Sequence, residues 1–187
     1  MDSFCTMEEL EHIGFVSLGS GVKLSRRASI YFPERISIGN HVRIGDFCIL
    51  SGRIKIGDYV HIAAYTAIYG GEDGVFIENF ANISSRVSIY SVNDDYSGLG
   101  MTNPMIPEKF RRVESASVKI GRHVIVGSTS VILPGVTLPE GSAFGSFSFI
   151  NHDAEPWSLN TGIPFKRIRE RNRDVLELEK QFRNEKS

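Results

Sequence analysis

The chain lacks most of what would tie it to a membrane, a polynucleotide or an oxidising compartment. No apolar run is long enough to cross a bilayer. Basic and acidic residues nearly balance, 21 against 22, for a formal net charge of -1, so no broad basic field favours nucleic acid or anionic lipid. The opening MDSFCTMEEL is acidic and has neither the basic nor the apolar region of a secretion signal. Only two cysteines occur, Cys48 at an inward repeat position and Cys5 near the start, which excludes a disulfide framework. No glycine-rich phosphate loop, Ser-His-Asp order or HExxH run appears. Asn82 opens an N-x-S triplet, which matters only in a secreted protein. These absences leave a soluble protein, expected in the cytoplasm, of 187 residues with room for one domain and a real core.

What the chain has in abundance is a period. From Arg35 to His152 almost every consecutive hexapeptide carries an aliphatic or aromatic residue at its fourth position, from Ile38, Ile44, Leu50 and Ile56 through to Phe144 and Ile150. Position two is small or β-branched, as at Val42, Val60, Ala81 and Val124. Side chains alternate along an extended strand, so positions two and four share one face. Positions five and six are rich in Gly, Asn, Asp and Ser, residues that suit a corner and, in part, positive φ. Such a short strand cannot bury its inner face alone. Stacking successive turns ~4.8 Å apart solves this and yields a parallel β-helix filled by the aliphatic column. A period of six does not fit a helical stripe, and no long crossovers exist for an ordinary parallel sheet.

Three hexapeptides make a triangular turn, which divides the chain into turns at 35–52, 53–70, 74–91, 117–134 and 135–152, after a looser one holding Leu24 and Ile30. The interruptions, Pro33-Glu34, Gly71 to Asp73 and Val92 to Ala116, all follow a third hexapeptide and therefore leave the prism at one corner. Tyr31, Ser51, Tyr69 and Tyr90 stack near that corner. A long loop on a regular scaffold is more often functional than decorative, which puts the active site at 92–116. Thr6 and Glu9 have capping-box spacing for a short first helix, and the tail from Ile168 is helix-prone, with opposite charges at helical spacing. The expected division is a helical cap at 1–20, the β-helix at 21–152, and a terminal segment with a helix at 153–187.

These residues resemble the hexapeptide-repeat acyltransferases, all-β left-handed parallel β-helix enzymes that move an acetyl group from acetyl-CoA. The most specific stretch is KIGRHVIVGSTSVILPGVTLPEGSAFGSFSFI followed by NTGIPFKRIRER, which is similar to the coenzyme end of the galactoside, maltose and O-antigen branch. The resemblance implies a homotrimer with acetyl-CoA in the groove between subunits. It implies that Ser128 and Ser146 meet the pantetheine arm, that Asn151 lies near the pyrophosphate and adenosine, and that Lys166 and Arg169 meet phosphate. Fixed N–H donors suit the amide-rich arm and basic side chains suit phosphate. The plain alternatives are corner serines and a solvated basic start to the last helix.

In the sugar O-acetyltransferases a histidine opens the long loop and deprotonates the acceptor hydroxyl; here that position holds Asp94, with Asp95 beside it. The NDDYSG run is similar to a subset found with surface-polysaccharide genes. An aspartate of ordinary pKa ~3.9 is a poor base for a hydroxyl. Burial, or repulsion between Asp94 and Asp95, would strengthen it; an amine acceptor would need no strong base. The acceptor is read as a sugar or nucleotide-linked sugar for O-antigen or capsule, O- or N-acylated, with Tyr69 and Tyr90 packing its face and Asn93 bonding it. An Asx turn accounts equally for Asn93, Asp94 and Asp95. Two rivals stand beside this reading. One is a β-helix scaffold without chemistry; the other is a zinc-dependent hydratase. The five histidines weigh against the second: His41, His61 and His123 lack the spacing for a shared zinc, so no metal is expected and surface or interface positions are. His152 stands beside the coenzyme stretch as a further contact.

Overall fold

The strands are two to eleven residues long, and those of the coil pair in parallel with the turns above and below. In the computed structural model, which describes residues 3–185, Ile36 pairs with Ile54, Ile54 with Val75 and Val118 with Val75, all parallel. A second column runs Leu24, Ile44, Ile62, Ile83, Val126 and Phe144, and a third runs Ile30, Leu50, Ile68, Ile89, Ile132 and Ile150. The three columns meet on the axis, where Ile44, Leu50, Ile62, Ile68, Ile83 and Ile89 are wholly buried. Cys48 is buried among them, as its repeat position required. The fold is thus a parallel β-helix whose core is one continuous aliphatic rod.

The corners differ from expectation. Positive φ falls at position one of the hexapeptide and not chiefly at positions five and six: His41 (55°), Phe47 (58°), Tyr59 (56°), Tyr65 (63°), Phe80 (61°) and His123 (58°) all adopt it. A bulky residue there is strained, and stacking offsets the strain. His41, Tyr59, Phe80 and His123 form a ladder with ring centroids 4.8, 5.1 and 5.2 Å apart, while Phe47 stacks on Tyr65 at 5.0 Å. The position-five glycines serve close approach instead. A Cβ on Gly127 would lie 2.4 Å from the Ser146 nitrogen of the next turn.

Both ends are covered. The first helix, α1 (Met7–Ile13), carries the expected capping box, Thr6 accepting from the Glu9 amide and Glu9 accepting from the Thr6 amide. The ladder already begins at Ser17–Leu18, inside the stretch read as cap, pairing with Ser37 and Ile38. At the far end Phe165 plugs the rod, edge-on to Phe144 and stacked on His152 at 4.1 Å. The tail is not helical from Ile168. Ser158–Thr161 and Lys166–Glu170 form an antiparallel hairpin, and only Val175–Asn184 is the helix α2. Asn172 accepts from the Asp174 amide and so turns the chain between the hairpin and the helix.

The helix α2 lies back along the ring ladder. Phe182 meets Tyr59 edge-on at 5.1 Å, and the buried Glu179 receives His123 Nε2 (2.5 Å), Arg122 (3.0 Å) and Arg183 (2.7 Å). Burial pushes the Glu179 carboxyl up, but hydrogen bonds from Arg183 and His123 and the Arg122 charge outweigh it and hold it below the usual range. His123 is therefore buried and committed, not a surface histidine, and His61 is bonded to Asn82. Among the described residues no group of three metal-ligating side chains gathers.

Filling of the axis predicts a sharp contrast between neighbouring faces. Ile62→Ala should lower the unfolding free energy by about 2–5 kcal/mol, and the outward Lys55→Ala by less than about 0.5 kcal/mol, in urea titrations followed by circular dichroism. Equal losses would contradict an axial core.

Candidate active site

The interruption after the Tyr90 turn is a hairpin standing on the corner. Val92–Asp94 pairs antiparallel with Val113–Ser115, setting Asn93 opposite Glu114 and Asp94 opposite Val113. The Ala116 amide returns to the Ser91 carbonyl at 3.0 Å, closing the base. The Ser115 hydroxyl donates to Asp73, so the long insertion is tied to the short one at 71–73. That short insertion is held in turn by Arg35, whose guanidinium forks onto Glu72 at 2.7 Å on both nitrogens.

Alternation separates the two aspartates: Asp94 is exposed and Asp95 is buried. The Asp95 carboxylate accepts from the Ser97 amide (2.9 Å), the Ser97 hydroxyl (2.6 Å) and the Gly100 amide (2.8 Å). The Ser97 hydroxyl, then its amide and those of Gly100 and Leu99, push the Asp95 pKa down to about 2. Asp95 is thus an Asx knot that shapes the loop, with both carboxylate oxygens engaged by loop donors. The Asx turn given as the alternative for Asp95 is present. Asp94 is not buried by its own chain.

Beside the hairpin lies a cleft of about 640 Å³ lined by Tyr90, Asn93, Asp94, Tyr96, Val131, Leu133 and Phe149, with Val92 at its base. Tyr90, Asn93 and Asp94 therefore meet as expected, and Tyr69 stacks under Tyr90 at 5.1 Å with planes 11° apart. Below the hairpin this face of the prism carries tyrosines. Above it, Val131 pairs with Phe149, and Leu133 and Asn151 each follow a paired isoleucine. Val131, Leu133 and Phe149 were not foreseen. The available signal was an apolar residue at outward positions three and five of a hexapeptide. A smaller cleft of about 330 Å³ on another face reaches Arg122, but Glu140 and Glu179 already hold that guanidinium.

The residues expected at the coenzyme are less tightly grouped. Ser128 and Ser146 occupy one corner on successive turns, where Gly127 lets the backbones close up, and Ser128 shares a hydrogen bond with Ser85 at 3.2 Å. Asn151 is at the next corner, bonded to His152. Lys166 and Arg169 lie on the exposed strand of the terminal hairpin, not at a helix start. Their neighbours are committed, Arg167 to Glu155 and Arg171 to the His123 and Gly141 carbonyls. Among the described residues Lys166 and Arg169 make no ion pair, which leaves two cations open to a phosphate. A partly exposed Ser128 and an exposed Ser146 over close-packed corners, with open cations beyond them, could offer polar groups to a long amide-containing chain ending in phosphates.

Both the sequence and the fold have counterparts among known proteins. The family model described as bacterial transferase hexapeptide (six repeats) matches residues 35–70. The chain is 49% identical over 178 residues to a dTDP-4-amino-4,6-dideoxy-D-glucose acyltransferase of Escherichia coli, covering 94% of this chain and 92% of that protein. It is 27% identical to a putative lipopolysaccharide biosynthesis O-acetyl transferase of Escherichia coli K12, over 81% of this chain and 77% of that one. The crystal structure of AntD, an N-acyltransferase from Bacillus cereus, in complex with dTDP and 3-hydroxybutyryl-CoA superimposes with a TM-score of 0.97 at 48% identity, covering 99% of this chain and 98% of that one.

The Asp95 knot carries a pH signature. Its folded pKa of about 2 lies below the ordinary 3.8, so its stabilisation is complete above about pH 4 and vanishes as pH falls through about 2. Hydrogen-exchange protection of the Ser97 and Gly100 amides should collapse across that window. In Asp95→Ala it should be lost already at neutral pH, with the β-helix amides unchanged.

Proposed function

This chain belongs to the hexapeptide-repeat acyltransferases, and we propose that it acylates the amino group of a nucleotide-linked amino-deoxy sugar. The observation that carries the choice of an amine is the exposed Asp94 in the cleft, with no histidine beside it. An exposed carboxylate is too weak a base for a sugar hydroxyl, whereas it attracts an ammonium group and, once that group has lost its proton, accepts a hydrogen bond from the free amine. The relatives support the same choice, since the Escherichia coli protein is named for a dTDP-linked 4-amino sugar and AntD is an N-acyltransferase. Two AntD variants, each changed at a serine, hold dTDP-4-amino-4,6-dideoxyglucose and coenzyme A together. In other AntD structures an aspartate is replaced by alanine or asparagine.

A coenzyme A thioester supplies the activated acyl carbonyl. The amine nitrogen attacks that carbon, an amide N–C bond forms, the C–S bond breaks, and the proton shed by nitrogen balances the thiolate. Asp94 and Asn93 hold the amine; Tyr90 packs the sugar ring; Val131, Leu133 and Phe149 keep water from the acyl chain. Ser128 and Ser146 follow the pantetheine arm, Asn151 stands toward the adenosine, and Lys166 and Arg169 take phosphate. Asp95 acts only through the loop. The reading extends to a homotrimer, for which the exposed Phe47 and Tyr65, stacked at one corner, offer a contact surface. It extends also to a cytoplasmic step in surface-polysaccharide assembly. No described helix is long and apolar enough to cross a membrane.

The test is release of free coenzyme thiol from acetyl-CoA. It should require dTDP-4-amino-4,6-dideoxyglucose and not occur with dTDP-glucose; release with the hydroxyl sugar alone would overturn the amine assignment. Asp94→Asn should lower kcat/KM for the amino sugar by roughly a hundredfold while leaving the KM for acetyl-CoA in place. Lys166→Ala and Arg169→Ala should each weaken acetyl-CoA by about tenfold. If either contact is to the 3′-phosphate, dephospho-CoA will be unaffected by that change in calorimetric titration.

A further inference from the structure

The tyrosine column below the cleft is missing one ring. Tyr31 pairs in register with Ser51, Ser51 with Tyr69, and Tyr69 with Tyr90, so all four side chains leave the same face in one line. Tyr69 and Tyr90 stack at 5.1 Å. In the neighbouring ladder every rung from His41 to His123 carries a ring, and the spacing is the same 4.8 to 5.2 Å. Only at Ser51 does the tyrosine column step from one ring to the next across a small residue. The lower face of Tyr69 and the facing side of Tyr31 are consequently two turns apart, ~10 Å by the strand spacing. A flat ring seated over Ser51 would lie ~5 Å from each, which is the stacking distance of aromatic pairs. Tyr31 is 54% exposed, and Ser51 between the two rings is half-buried.

We propose that this gap is the seat of the nucleobase of the acceptor, an inference that rests on the acceptor being nucleotide-linked. A base has two flat π faces and stacks on aromatic side chains whatever its edge pattern. A saturated sugar ring has no such pair of faces, and the sugar is already served by Tyr90 beside Asp94. The geometry orders the acceptor along the face. Its amine lies at Asp94, its sugar at Tyr90, its diphosphate passes Tyr69, and its base rests between Tyr69 and Tyr31, about two turns, ~10 Å, below Tyr90. The Ser51 hydroxyl forms the floor of the seat. Donor and acceptor then share one face of the prism and run in opposite directions from the hairpin.

The test is dTDP binding by calorimetry and NMR to the full chain and to two variants. Ser51→Phe fills the missing rung with a ring of its own and keeps the ladder continuous; Tyr31→Ala removes one wall. The wild type should bind dTDP with the thymine methyl and H6 signals shifted upfield by ring currents. Ser51→Phe should abolish that shift and weaken dTDP more than tenfold, with the melting temperature held or raised and acetyl-CoA binding unchanged. Tyr31→Ala should weaken dTDP by roughly tenfold. If dTDP binds both variants as it binds the wild type, the base sits elsewhere, while turnover of the dTDP-amino sugar would leave the acyltransfer reading intact. If the wild type binds no dTDP yet acylates the free amino sugar, the nucleotide-linked acceptor and the seat fall together.

Discussion

A strand of two or three residues followed by a corner buries nothing until another turn lies on it. The aliphatic contacts along the axis, Ile44 on Ile62, Ile62 on Ile83 and Ile83 on Val126, are therefore the interaction on which everything else rests. Because each inward position is claimed by that rod, each outward position falls into a column with its counterparts above and below. Columns make ladders, and the ladders do different work. His41 to His123 seats the last helix, Phe47 and Tyr65 leave an exposed aromatic edge, and Tyr69 with Tyr90 forms a wall beside the reactive hairpin. The corner strain at position one and the stacking that offsets it have the same origin, since a side chain in the left-handed region projects along the coil toward its neighbour.

The hairpin gains its position from the same constraint. A coil with this register tolerates extra residues only where they leave the prism without breaking the rod, and all three insertions leave by one edge. That edge then concentrates polar chemistry on an otherwise repetitive surface: the Arg35–Glu72 fork, the Ser115–Asp73 bond and the Asp95 knot all lie there. They hold Asp94 at the boundary between a tyrosine half and an apolar half of one face. Such a boundary suits the proposed acyl transfer, in which two long substrates would approach from opposite directions and meet only at their reacting ends.

Much of this was legible in the residues. The position-four aliphatics named the fold, the shared corner of Pro33, Gly71 and Val92 pointed to the edge where the insertions emerge, and Thr6 with Glu9 named the first helix. Tyr69, Tyr90, Asn93 and Asp94 were brought together as their repeat positions implied. The failures have a common cause. Asp94 and Asp95 read as a pair because they are adjacent, but a strand sends adjacent side chains to opposite sides, and the loop's unpaired amides captured one of them. His123 read as a surface residue because nothing in its hexapeptide announces the arrival of Glu179. The tail from Ile168 read as helix because charge spacing is the same in a terminal hairpin, and only the pairing of Leu159 with Arg169 tells the two apart.

The sequence by itself determined the coil, the length of its turns, the edge at which its insertions emerge and the family to which it belongs, because a hexapeptide period is a local, repeated demand for burial. What only the tertiary structure decided were the encounters between distant segments: which aspartate faces the cleft, which histidine is buried under α2, where the apolar half of the face begins, and which rung of the tyrosine column stands empty. Such encounters depend on contacts across tens of residues, where desolvation and hydrogen bonding choose among side chains that look alike along the chain.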